Sequence, residues 1–169
     1  FLATHKYKEF RDQANTLRQE FILQSIVSTP NCVKYYNQGR LTKVSENDST
    51  GIRSTTYSYN DKGQVLSIVS LTEKNGQTIN QIKTNMLYDP LGHCIFEVKT
   101  DPKTQTDFYR RIRHFNSDGS IESDSLKYMD GKLVTSNYNK QGLLTEVKEY
   151  DKNGELQTST IHKYDDKGR

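Results

Sequence analysis

The sequence predicts a mainly β protein. It reads as an antiparallel β-meander of about eleven strands, made of tandem hairpin repeats that form a broad twisted or curled sheet, with one N-terminal amphipathic helix ahead of it. Three observations carry that reading: evenly spaced glycines, a turn motif that recurs between them, and a composition poor in aliphatics but rich in tyrosine. All 10 glycines lie at or beyond residue 39, at 39, 51, 63, 76, 92, 119, 131, 142, 154 and 168. The wide interval from 92 to 119 holds two units, divided by a turn at Asp101-Pro102-Lys103-Thr104 that does without glycine. Regular self-similarity of this kind decides a fold class before any single residue does.

The recurring motif is an aromatic, then Asn or Asp, two polar residues, Gly, any residue and an aliphatic. It runs as Tyr59-Asn60-Asp61-Lys62-Gly63-Gln64-Val65, Phe115-Asn116-Ser117-Asp118-Gly119-Ser120-Ile121, Tyr138-Asn139-Lys140-Gln141-Gly142-Leu143-Leu144 and Tyr150-Asp151-Lys152-Asn153-Gly154-Glu155-Leu156. Tyr88-Asp89-Pro90-Leu91-Gly92 keeps the first half, with Ile95 one place late. Shorter copies stand at Tyr36–Leu41 and Tyr128–Leu133, and a last one runs from Tyr164 to Arg169 without its aliphatic, as expected if the natural chain continues. Asn or Asp opens a turn by accepting from the backbone just ahead of it. Gly supplies the positive φ that closes a short hairpin loop. The aromatic and aliphatic flank the loop at an even offset, so they are placed to meet as a cross-strand pair.

Between turns, β-branched residues alternate with polar ones, as in Val65, Ser67, Val69 and Leu71 against Leu66, Ile68 and Ser70, and in Leu156, Thr158 and Thr160 against Gln157 and Ser159. That period of two marks strands with one better-covered face. The gaps leave no room for a crossover helix, so consecutive strands pair antiparallel. The first thirty residues differ. Tyr7, Phe10, Ala14, Leu17 and Phe21 recur at helical spacing, Ile22, Leu23, Ile26 and Val27 widen the stripe, and Pro30 stops it. The expected organisation is therefore a helix over 1–30 packed on a repeat domain over 31–169.

Composition fits a thin sheet. Of 169 residues, 32% are apolar, none is Trp, and 11 are Tyr, with a mean hydropathy of −0.89. A disordered chain is short of aliphatics too, but also of aromatics. Net charge is +3, short of the asymmetry typical of nucleic-acid binders. No apolar run approaches the ~18 residues of a membrane span. Phe1 is not a natural start, which leaves room for a removed leader or a lipid anchor upstream of residue 1. Cys32 and Cys94 are far apart and in no metal spacing; whether they pair stays open.

The motif resembles the tyrosine–aspartate (YD) repeats of the Rhs class, whose signature is Tyr-Asp-x-x-Gly-Arg-Leu. Tyr164 to Arg169 matches as far as it goes, and Tyr36 to Leu41 matches with Asn for Asp and one residue fewer. Only three copies have Asp directly after Tyr, and only two have Arg after Gly. The resemblance implies long β-sheets in secreted or envelope proteins, hence an extracytoplasmic location, and either carbohydrate binding or a structural wall segment of a larger repeat protein.

For chemistry, the densest stretch is Tyr109-Arg110-Arg111-Ile112-Arg113-His114-Phe115. On a strand, Tyr109, Arg111, Arg113 and Phe115 share one face and Phe108, Arg110, Ile112 and His114 the other. The charge is thus split, with Glu97, Glu122 and Asp124 as natural cross-strand partners, and no nucleic-acid partner is expected. The tyrosines beside the turns could stack on sugar rings or anchor a protein interface. The candidate binding residues are Tyr59, Tyr88, Tyr109, Arg111, Arg113, Phe115, Tyr138 and Tyr150. His5, His93, His114 and His162 show no ligand spacing. Acidic turns such as Asn47-Asp48-Ser49 lack the alternating ligands of a calcium loop. No nucleophile, zinc or phosphate-loop motif is present. The expectation is a non-enzymatic module that needs no cofactor and binds glycan or protein through a sheet face.

Overall fold

The computed structural model describes residues 24–49, 51–165 and 168. Twelve strands follow one another: β1 (Gln24–Thr29), β2 (Cys32–Asn37), β3 (Arg40–Asp48), β4 (Gly51–Tyr59), β5 (Val65–Lys74), β6 (Gln77–Tyr88), β7 (Cys94–Asp101), β8 (Thr106–Phe115), β9 (Ile121–Tyr128), β10 (Leu133–Tyr138), β11 (Leu144–Tyr150) and β12 (Leu156–Ile161). Their order in the sheet is their order in the chain, the antiparallel meander that closely spaced turns require. Two compact units divide the chain, Phe1–Ser58 with Ser70–Asn80, and Tyr59–Val69 with Gln81–Arg169.

The eleven strands expected from Val33 onward are β2 to β12. The twelfth, β1, corrects the sequence reading, which carried a helix through to Pro30. Ile26 and Val27 instead lie opposite Tyr35 and Lys34 of β2. The physical reason is local: Ile26-Val27-Ser28-Thr29 combines β-branched side chains, which lose χ1 freedom in a helix, with hydroxyls that compete for its backbone. The rest of the helical pattern, Tyr7 to Leu23, lies outside the described residues.

The turns have the geometry that their residues dictate. In the first full copy the Asn60 N–H donates to the Gln64 carbonyl at 3.0 Å and the Gly63 N–H to the Asn60 carbonyl at 2.9 Å. Gly63 stands at φ +83°, the left-handed position that follows a type I turn. The Asn60 side chain accepts from the Gln64 N–H at 2.9 Å. The same two backbone bonds recur at Asp89/Gly92, Asn116/Gly119, Asn139/Gly142 and Asp151/Gly154, and one residue early at Tyr128/Gly131. Asp89, Asn139 and Asp151 also accept from the N–H four residues on. Where Gly is missing, Gln105 takes the positive φ, at +56°, while Asp101 caps the Lys103 N–H at 2.8 Å.

Register confirms the flanking pairs: Tyr36 lies opposite Leu41, Phe115 opposite Ile121, Tyr138 opposite Leu144 and Tyr150 opposite Leu156. Each sits at a register shift, because the extra loop residue makes a bulge. Tyr88 faces Cys94 in place of an aliphatic, and the late Ile95 is the unpaired extra residue of the bulge. Among the described residues no hydrophobic side chain is buried, and the one buried residue is Asp124, at 8% exposure.

Candidate functional site

The densest cluster of charged and aromatic side chains lies across β7, β8 and β9, in the second unit. The strand period predicted for 108–115 is visible in burial: Tyr109, Arg111, Arg113 and Phe115 are half-buried, and Phe108, Arg110, Ile112 and His114 exposed. The arginines take the better-covered side and the apolar residues the open one. Ile112 is 44% exposed and Phe108 36%.

Register explains this inversion. Arg113 stands opposite Asp124, and Arg111 opposite Leu126, across the β8–β9 ladder. Glu97 of β7 stands opposite Arg111. Arg111 reaches diagonally to Asp124, with Nε donating to Oδ1 at 2.9 Å and Nη2 to Oδ2 at 2.5 Å. This is the bidentate fork that makes guanidinium–carboxylate pairs strong. Arg113 Nη2 lies 3.6 Å from Glu97 Oε2, and its Nη1 donates to the Cys94 carbonyl at 3.4 Å. The Tyr109 hydroxyl donates to Glu97 Oε1. Burial, then the bond to Glu97 and its charge, push the Tyr109 hydroxyl up to about 12. Two cations thus meet two anions, and among the described residues no buried side-chain nitrogen or oxygen lacks a partner. Glu122, expected among the partners, is exposed beside this ladder.

The turns beside the ladder are joined to one another. Lys62 Nζ donates to the Pro90 carbonyl at 3.1 Å and Gln64 Nε2 to the Gly92 carbonyl at 2.9 Å. His93 Nδ1 lies 2.8 Å from Asp89 Oδ2, and its ring stacks on Phe115 with centroids 4.6 Å apart. Burial raises the Asp89 carboxyl, but the hydrogen bonds from His93 and Gly92 outweigh it and hold the group below its ordinary range. The Tyr88 hydroxyl donates to the Val65 carbonyl at 2.9 Å, and burial is the main cause that pushes it up.

The candidate residues therefore divide. Tyr88, Tyr109, Arg111, Arg113 and Phe115 are gathered on or beside this ladder. Tyr138 lies on the same face of β10, two residues beyond Ser136, which pairs with Asp124. Tyr150 goes to the other face, opposite Leu133 and Leu156. Tyr59 ends β4, half-buried, directly before its turn. Tyr150 also lines a shallow hollow of about 600 Å³ with Asp130, Lys132, Glu149, Asp151, Lys152 and Gln157, in which Lys132 and Glu149 pair at 2.7 Å. None of these neighbours was singled out as a site from sequence, where Asp151 and Lys152 read as turn residues and Gln157 as the polar side of a strand.

Across the open face, Leu87 pairs with Phe96 and Phe96 with Ile112, an apolar row over three strands. Leu87 is 57% exposed. Cys32 and Cys94 are free thiols. Among the described residues no group of three His, Cys, Asp or Glu side chains is placed to hold a metal, and no helix is long and apolar enough to cross a membrane.

No family model matches the chain, and the curated proteins yield no match. Among solved structures, a chain of the "Crystal Structure of TcdB2-TccC3-Cdc42" is similar at 12% identity and a TM-score of 0.35, over 86% of this chain. This chain spans about 10% of that one.

Proposed function

We propose that this chain is a structural repeat module, a wall segment of a larger β-repeat assembly, with no catalytic role. The observation that carries the reading is the absence of any buried hydrophobic residue among the described residues. A sheet built this way draws its cohesion from nearest-neighbour hairpins, so its stability is spread along the chain. Its tyrosines support the same reading, since four turn-flanking aromatics meet the side chain beyond their own loop. The ladder of Glu97, Tyr109, Arg111, Arg113 and Asp124 is paired within itself and offers no surplus charge to a substrate. The likeness of the repeats to secreted YD sequences is what supports an extracytoplasmic location.

A second reading, protein binding through the sheet face, is favoured by the apolar row Leu87, Phe96 and Ile112, exposed at Leu87 and Ile112 and half-buried at Phe96. An apolar row suits a protein surface better than a sugar. A glycan array probed with the folded chain tests the assignment. The wall reading expects a blank array. Saturable glycan binding that disappears in Tyr109→Ala or Tyr138→Ala, both still folded by circular dichroism, would replace it with carbohydrate recognition.

A further inference from the structure

Resting on the second reading, protein binding through the sheet face, we propose that the open face of β6 to β9 docks an acidic segment of another protein, one that presents apolar and carboxylate side chains side by side. Two rows of side chains lie next to each other on this face. The first is the apolar row of Leu87, Phe96 and Ile112. In the second, two residues along each strand, Asn85 stands opposite Val98, Val98 opposite Arg110 and Arg110 opposite Lys127. Successive side chains on one face of a strand are about 6.6–6.8 Å apart, so a single bound segment reaches both rows.

The charges on this face select the partner. Like charges directly opposite each other weaken a sheet, and Arg110 and Lys127 are exposed cations in that position. Asp107 pairs with Arg110 and accepts from the Thr100 hydroxyl at 3.0 Å. Lys127 is left without an ion-pair partner among the described residues, and so is Lys83, which stands opposite Thr100 on the same face. Lys83, Arg110 and Lys127 against Asp107 make an excess of two positive charges beside the apolar row. The covered face of the same strands differs, since Arg111 and Arg113 are met there by Asp124 and Glu97. Arg110 and Lys127 also line a shallow hollow of about 300 Å³ with Thr106, Asp107, Tyr128 and Met129, and Met129 is 63% exposed. A carboxylate entering there meets both cations and relieves their repulsion, while its apolar neighbour covers Ile112. A basic partner would add to the repulsion. A nucleic-acid backbone would satisfy the cations but leave the apolar row uncovered.

Fluorescence anisotropy of three labelled synthetic peptides, each titrated with the full chain, tests this docking surface. All three carry the same leucine stripe at helical spacing; the residues flanking it are Glu in the first, Gln in the second and Lys in the third. Saturable binding of the Glu peptide is expected, weakening as salt is raised, with the Gln and Lys peptides bound at least about tenfold more weakly. Lys127→Glu should weaken the Glu peptide by at least about tenfold, and Ile112→Ser by at least about fivefold. Lys127→Glu puts a carboxylate opposite Arg110, so its melting temperature should stay level or rise, and lost binding then does not come from lost folding. Equal binding of all three peptides, unchanged in Lys127→Glu but lost in Ile112→Ser, would overturn the acidic partner and leave protein binding at this face standing. No binding of any of the three would overturn both. A single-stranded oligonucleotide bound more tightly than the Glu peptide, and released by Lys127→Glu, would replace the protein partner with nucleic acid.

Discussion

Strand β8 and strand β12 are both short, alternating and flanked by the same kind of turn, yet they end in opposite environments. β8 is paired on both sides, and its half-buried face holds a satisfied ion-pair ladder around Asp124. Among the described residues β12 is paired on one side only, with β11, and all six of its residues are exposed. Alternation in the sequence predicted two distinct faces for β8 and one better-covered face for β12. The comparison teaches that a two-residue period identifies a strand, while coverage depends on how many neighbours the strand has and on what they carry. In a sheet without a buried apolar core, a charged residue between two partners is better shielded than a leucine at the end.

The largest expected effect breaks the inner ladder. Arg111→Met leaves the Asp124 carboxylate, 8% exposed, without its fork. It should cost about 2–3 kcal/mol, below the ~3–5 of a fully buried pair because the Arg111 side chain is 36% exposed. The urea midpoint measures it; a loss under about 0.5 kcal/mol would show the pair to be ornamental. Next come two turns, one before β10 and one before β12. Gly131 precedes β10 at φ +90°, and an added Cβ would lie 3.1 Å from the Lys152 Cα, whereas Gly154 precedes β12 at φ +83° with nothing within 4 Å. Both alanine substitutions incur left-handed strain, of order 1 kcal/mol. Gly131→Ala should cost about 1 kcal/mol more than Gly154→Ala in thermal melts.

A smaller effect is read through pH. Tyr109→Phe removes one hydrogen bond to Glu97, which keeps Arg113, and should cost about 1 kcal/mol at neutral pH. The Tyr109 hydroxyl ionises near its ordinary value of 10 in the unfolded chain but at about 12 in the folded one. Its contribution is therefore full below pH 10, falls as pH rises through that window, and is gone above about 12. The stability difference between the natural chain and Tyr109→Phe should shrink over that range and stay flat between pH 6 and 9. The smallest effect belongs to the end strand. Ile161→Thr, at a side chain 67% exposed, should change stability by no more than about 0.5 kcal/mol.

Much of the fold was legible because its signals act over a few residues. Asn60, Gly63 and Gln64 make their turn within one loop, so the motif could be read without knowing what surrounds it. The division of 108–115 into two faces was legible for the same reason. What escaped were consequences of register. The offset between β8 and β9, set by the bulge at Phe115, decides that Arg111 reaches Asp124. A register shift at Tyr88 decides that Cys94, and not Ile95, stands across from it. Tyr138 and Tyr150 carry the same motif, yet fall on opposite faces because each bulge moves the following strand by one residue. Ile26 and Val27 were read as the end of the helical stripe, although their β-branched side chains favour a strand. Pairing with Tyr35 and Lys34 settled the matter.

From the amino acids alone came the turns, the eleven strands beyond residue 31 and the rule that each pairs with the next, because loop chemistry and a period of two are short-range properties. The three-dimensional arrangement alone decided which carboxylate holds which arginine and which face of β8 is covered. Those outcomes depend on distances between side chains brought together from different strands, and a shift of a single residue in the ladder would reassign every one of them.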